Sequence, residues 1–195
     1  MAGNARLTAA NAAVLLVLLA IEGVTVLRVR QLLSPHVFVG MVLIPPVLLK
    51  VGSTTWRFAR YYRGAPAYRR KGPPPVLLRL LGPVVVVLTL VLLASGVGLL
   101  LVGRSWLPLL LKVHKASFVL WFGAMTIHVL AYVWRLPRLV GSDLARQAGY
   151  RAEQVLGGRA ARWLLLTASL LTGLLLAVIT VHLAGPWTAV PGLGR

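Results

Sequence analysis

Apolar positions gather into five long runs along the chain, and polar positions fall mainly between them. The runs cover roughly 7–27, 36–56, 80–102, 113–134 and 163–184. Each approaches the length of about 20 residues that a helix needs to cross the hydrocarbon core of a bilayer. The pattern predicts an all-α membrane protein, with five transmembrane helices in an up-and-down bundle and a single integral membrane domain over 1–195. The first run continues through "AIEGVTVL" with no small-x-small cleavage site after it, so it reads as a retained helix. No internal repeat or low-complexity tract interrupts the series.

Local signals mark the ends. "SPH" at 34–36 predicts Ser34 as an N-cap, Pro35 at the first helical position and His36 in the first turn. "IPP" at 44–46 interrupts the second run and predicts a kink, because two i−4 hydrogen bonds lose their donors. "GPPP" at 72–75 closes a loop before the third run.

Composition sharpens this picture. Hydrophobic residues make up 58% of the 195 positions, and the mean hydropathy is +0.85. Soluble domains hold about 45–50% apolar residues even with Gly counted. The chain carries 21 basic and 3 acidic residues, for a net charge of +18. Such a charge can signal nucleic acid, but these cations lie between apolar runs rather than along one face, so no nucleic-acid partner is expected. Seven of them fall in 57–79 and six in 135–162. Positive-inside bias places these two basic loops in the cytoplasm, the N-terminus inside and the C-terminus outside a bacterial cytoplasmic membrane. Trp56, Tyr61, Tyr62, Tyr132, Trp134 and Trp163 then form an inner aromatic belt, with Trp106 and Trp187 at the outer surface.

The absence of cysteine excludes disulfides, thiolate-held iron–sulfur clusters and C-x-x-C-H haem attachment. With only Glu22, Asp143 and Glu153 as acids, a carboxylate dyad or acidic metal cage is excluded as well. The remaining chemistry belongs to His, Lys, Arg, hydroxyls or a bound cofactor.

The fourth run contains "HKASFVLWFGAMTIH", from His114 to His128. Over 14 residues a helix turns to within about 40° of four full turns and rises ~21 Å. His114 and His128 therefore share one face near opposite membrane surfaces, with Ser117, Phe118, Trp121 and Met125 between them. An interfacial histidine is often only a hydrogen-bonding residue; a buried one in phase with it points to function, and imidazole is a frequent metal ligand. His36 lies at the same outer depth as His114, so the two can face one another. Gly40, Gly96 and Gly98 leave room either for a flat ring or for close helix packing. Lys50 follows His36 by the same 14 positions and so matches His128 in depth. His182 near the outer surface is a rival ligand, and also an ordinary interfacial histidine.

This set resembles the bacterial cytochrome b561 family and the related cytochrome b subunits of hydrogenases and formate dehydrogenases, over helices 1 to 4. The resemblance implies a four-helix cytochrome b-like core plus one extra helix. His36, within "HVFVG", and His114 would be the axial ligands of an outer haem b, and His128 a ligand of an inner one. Helix 1, "RLTAANAAVLLVLLAIEGVTVL", departs from the family in having no histidine. The expectation is therefore one haem b, with a second open only through His128. Lys50, His128 and Asn11 would line the inner place, for a quinone headgroup, a weakly ligated haem or water. Glu22 is expected to hydrogen-bond an axial imidazole. Lys112, Lys115, Arg28 and Arg30 are the cations available for haem propionates. The function implied is electron transfer between an extracytoplasmic partner and a quinone or other redox centre, as a subunit rather than a stand-alone enzyme. The alternative is a cofactor-free anchor or scaffold subunit of a larger complex. A small transporter with Lys50 and Glu22 on a proton path is disfavoured, because no pair of broken helices marks two matching halves.

Overall fold

A computed structural model describes residues 2–65, 76–102, 104–133 and 156–188. The "GPPP" stretch, positions 66–75 and 134–155 of the two basic loops, and Trp134 lie outside the described residues. So do the side chains of Tyr132 and Arg159.

Five long helices account for nearly everything described: α1 Ala2–Leu27, α2 Leu33–Tyr62, α3 Val76–Leu101, α4 Leu107–Val133 and α5 Leu156–Thr180. All five are long and apolar enough to cross a membrane. Short 3-10 turns at Arg104–Trp106 and Val181–Ala184, and a turn α6 at Gly185–Thr188, complete the helical elements among the described residues. No strand is present among the described residues.

The helices overrun the apolar runs. At ~1.5 Å per residue, the 30 residues of α2 extend to about 45 Å, against a hydrocarbon core of about 30 Å. Its surplus is "RFARYY", where Arg and aromatic side chains suit the headgroup region. The start of α2 also differs from expectation. The helix begins at Leu33 after Leu32, with no side-chain cap. The His36 N–H already bonds the Leu32 carbonyl at 2.8 Å, so Ser34 sits inside the first turn and is not the N-cap.

Burial is inverted relative to a water-soluble bundle. Asn11, Ser95, Ser117, Thr8 and Thr25 are buried, while Leu27, Leu101, Val119, Leu164 and many other leucines and valines point outward. Lipid solvates the apolar exterior, so the few polar groups turn inward to find one another.

α2 is the organising helix. It packs extensively on α1 and α5, and more lightly on α3. α3 and α4 form a second close pair. Helix α5, expected as an extra beyond the four-helix core, is therefore an intimate partner of α2. Along their backbones, α2 and α4 barely touch. Leu15 of α1 joins Leu43 and Val47 of α2 in one apolar cluster. Met41 and Val42 join Ala177 of α5 in another.

The proline pair of α2 sits at this core, inside one continuous helix. Pro45 and Pro46 have no N–H, which leaves the Met41 and Val42 carbonyls without their helical donors. Gly173 of α5 lies so close to Val42 that a Cβ there would stand 2.5 Å from the Val42 oxygen. From α1, the Asn11 amide donates to the Pro46 carbonyl at 2.8 Å. Neighbouring helices thus cover a stretch of backbone that lipid alone would leave bare.

Candidate functional site

His36 and His114 face each other from α2 and α4. Their ring centroids are 6.3 Å apart, with an interplanar angle of 72°. Each ring is fixed by a different helix behind it.

Behind His36 stands α1. Glu22 Oε1 lies 2.8 Å from His36 Nδ1, and both side chains are largely buried. The Thr25 hydroxyl lies 3.0 Å from Glu22 Oε2 and 2.7 Å from the Glu22 carbonyl, and its oxygen is 3.3 Å from His36 Nδ1. The carboxylate is thus held from one side by a hydroxyl one helical turn on. Gly40 lies one turn after His36, and a Cβ there would come within 3.6 Å of Glu22 Oε1. The bare backbone leaves that flank open to the carboxylate.

Behind His114 stands α3. His114 Nδ1 lies 3.1 Å from the Leu92 carbonyl and 3.1 Å from Ser95 Oγ. The Ser95 hydroxyl also reaches the Leu92 carbonyl, at 3.0 Å. A carbonyl only accepts, so the proton of this ring belongs on Nδ1. Gly96 is the reason the ring fits: a Cβ there would stand 3.1 Å from His114 Cε1. Gly98 meets Leu110 at an ordinary 3.4 Å and serves the packing of α3 on α4.

Both rings therefore engage acceptors through Nδ1, carboxylate for one and carbonyl for the other. In a neutral ring that arrangement puts the lone pair on Nε2. It is also how metal-ligating histidines are commonly oriented. Among the described residues no group of three or more His, Cys, Asp or Glu could hold a metal ion. Two imidazoles alone suit a metal whose other donors come with a macrocycle.

The stripe expected on α4 is formed. Ser117 and Trp121 are buried, and His114, Phe118, Met125 and His128 are half-buried on the same face. Trp121 Nε1 donates to Thr89 Oγ1 of α3 at 2.8 Å, which fixes the large ring between the two histidine levels. His128 lies toward the far end of α4, where Lys50 of α2 is within its electrostatic range. Lys50 Nζ donates to the Thr8 carbonyl of α1 at 2.9 Å. The structure does not bring His182 to this site: it lies exposed in the 3-10 turn after α5. Arg28, Arg30, Lys112 and Lys115 are exposed at the His36–His114 end.

Sequence reasoning missed Thr25, Ser95, Thr89 and the Leu92 carbonyl. Thr25 is one turn from Glu22, a spacing that pairs side chains on a helix. Ser95 stands beside Gly96 in "SGVG". The Leu92 carbonyl has no signature in any side chain.

Fold and site together define a multi-pass, all-α membrane protein with two imidazoles converging between α2 and α4. Comparison with protein-family models, with curated protein sequences and with solved structures yields no match.

Proposed function

We propose that this protein is a membrane electron-transfer cytochrome that holds one haem b between His36 and His114. The observation that carries the reading is the ring separation together with the Nδ1 contacts. Two metal–imidazole bonds of about 2.0 Å, each followed by roughly 1.1 Å to the ring centre, set opposed rings about 6.2 Å apart. The centroid separation here is 6.3 Å. Both Nδ1 atoms face acceptors, which leaves Nε2 as the atom each ring would offer a metal.

When bound, a haem supplies a reversible one-electron couple. The chain would supply the rest. Glu22 orients His36 and makes it a more basic ligand. Leu92 and Ser95 orient His114. Trp121, Phe118 and Met125 keep the face below the rings apolar. Arg28, Arg30, Lys112 and Lys115 are the cations at the same end for propionates. Placed by charge bias in a bacterial cytoplasmic membrane, with the N-terminus cytoplasmic and the C-terminus extracytoplasmic, this end faces outward. Electrons would pass between an extracytoplasmic redox partner and a quinone or other centre, with the chain a subunit of a larger complex. A second haem at His128 would lack an opposing imidazole among the described residues.

One observation favours a second reading. The 72° interplanar angle also suits two imidazoles in direct edge contact, which would cross-link helices in a cofactor-free anchor or scaffold. An absorbance spectrum decides. Purified protein that is a cytochrome shows a sharp band on reduction and about one haem per chain; a scaffold shows neither.

A further inference from the structure

From the His36–His114 pair toward the opposite membrane surface, the residues of α2 and α4 change in two steps. The two helices run in the same direction: His36 faces His114, and Lys50, further along α2, is in electrostatic range of His128, further along α4. Positions counted from the two histidines therefore match in depth. One turn in, the residues are small: Gly40, with no side chain, and Ser117, whose hydroxyl folds back on the His114 carbonyl at 3.0 Å. Two turns in, ~10.5 Å from the rings by helical rise, they are large: Leu43, closed in with Leu15 and Val47, and Trp121. Both are buried.

Trp121 is unusual for a membrane tryptophan. Trp56, Trp106 and Trp163 lie exposed near helix ends, where an amphipathic indole suits the interface. Trp121 stands in the middle of α4 and is buried, so its N–H needs an acceptor that water cannot supply. Thr89 of α3 provides it at 2.8 Å. The Thr89 hydroxyl spends its own proton on the Val85 carbonyl at 2.7 Å, which keeps its oxygen turned to accept. α3 holds His114 in the same manner, through Leu92 and Ser95. The two rings of α4 are thus anchored on one neighbour, at levels that a helical turn of 100° per residue brings to within about 20° of a common face. A leucine would fill the same volume with no acceptor at all. An indole adds a flat, rigid surface.

We propose that Trp121 is the floor of the haem site: held by Thr89, its indole meets the inward edge of the macrocycle and fixes the depth at which His36 and His114 take it. The proposal rests on the haem reading of the histidine pair. Gly40 and Ser117 leave room for that edge one turn in, and Trp121 with Leu43 ends the room at the next. Contact between aromatic surfaces depends on their mutual orientation, which the Thr89 hydrogen bond sets for the indole. Trp121 is a positioning residue in this account; the ligands remain the two imidazoles.

The test uses the full chain, labelled with fluorotryptophan and loaded with haem b in detergent. Fluorine NMR spectra are recorded with the metal oxidised and reduced, and the Trp121 resonance is the one missing from Trp121→Phe. It should shift or broaden between the two states more than any other tryptophan resonance, because the unpaired electron of the oxidised metal acts over a short range. A tryptophan that only knits α4 to α3 would not respond so. Transfer of haem to an excess of apomyoglobin gives a second readout. Trp121→Leu should lose haem about tenfold faster than the parent, whereas Trp121→Phe, which keeps a flat ring, should stay close to it. If Trp121→Leu does not fold, the spectra of the parent chain still decide. A low-spin haem whose change of state leaves the Trp121 resonance unmoved would overturn the proposal and leave the haem reading intact, as would a folded Trp121→Leu that retains haem as the parent does. A chain that takes up no low-spin haem would overturn both.

Discussion

A Cβ placed on Gly173 would stand 2.5 Å from the carbonyl oxygen of Val42 and 3.2 Å from its carbonyl carbon. Both neighbours are backbone, so neither can swing aside. Gly173→Ala should therefore separate α5 from α2 and cost about 1–3 kcal/mol, the range for overpacking. Gly123→Ala is the matched control, because nothing lies within 4 Å of its added Cβ. Thermal midpoints in one detergent check the pair: a clear drop for the first variant and little change for the second. Equal midpoints would remove the close approach from the account of helix packing.

If His36 and His114 hold a haem as proposed, loss of either imidazole should abolish its low-spin spectrum. His36→Ala and His114→Ala are each expected to lose the haem or convert it to a high-spin form, whereas His182→Ala should leave the spectrum as it is, because His182 is exposed away from the site. Reduced-minus-oxidised spectra check this. Parent spectra in both His36→Ala and His114→Ala would exclude the pair as ligands.

Glu22→Gln keeps the size of the side chain and removes its charge. The carboxylate lies 2.8 Å from His36 Nδ1; were His36 to ligate the proposed haem, it would raise the basicity of that ligand and favour the oxidised metal. The variant should therefore have a higher midpoint potential with the low-spin spectrum retained. Thr25→Val, which removes the hydroxyl 3.0 Å from Glu22 Oε2, should move the potential less. Potentiometric titration measures both, and an unchanged value for Glu22→Gln separates Glu22 from the site.

Two glycines three Å of helix rise apart should respond differently. A Cβ on Gly96 would press on His114 Cε1 at 3.1 Å, whereas one on Gly98 would meet Leu110 at an ordinary 3.4 Å. Gly96→Ala should displace the imidazole and lower haem occupancy; Gly98→Ala should retain it. Haem-to-protein ratios on the two purified variants settle the difference, and equal ratios would mean that the ring does not depend on that space.

The five helices and the inward stripe of α4 were legible because hydropathy and a 100° turn per residue are local properties. His114, Ser117, Trp121 and His128 turn inward as that period requires. The match in depth of His36 with His114 was legible for the same reason, since both are counted from helix ends. The ends themselves were less so: α2 starts before Ser34 because the Leu32 carbonyl takes up the slack that a capping serine would fill. What could not be read was the rotation of one helix against the next. Glu22 was visible as a polar residue in α1, but its distance to His36 depends on how α1 rolls on α2. Gly173 looked like any glycine in a leucine-rich helix. Its importance comes from a carbonyl released by Pro46, far away in sequence.

The Pro45–Pro46 pair has a consequence for how the protein is made. α2 leaves the ribosome early, with the Val42 carbonyl already lacking its donor. Its partner surface, at Gly173, belongs to α5, which is synthesised well over a hundred residues later. Between those two moments α2 is a membrane segment with an open backbone flaw, and α1, through Asn11 on Pro46, is the neighbour present to steady it. Completion of this packing thus waits for the synthesis of α5. A chain halted before α5 would present that flaw to lipid, or to whatever quality-control machinery recognises a bare carbonyl in the bilayer.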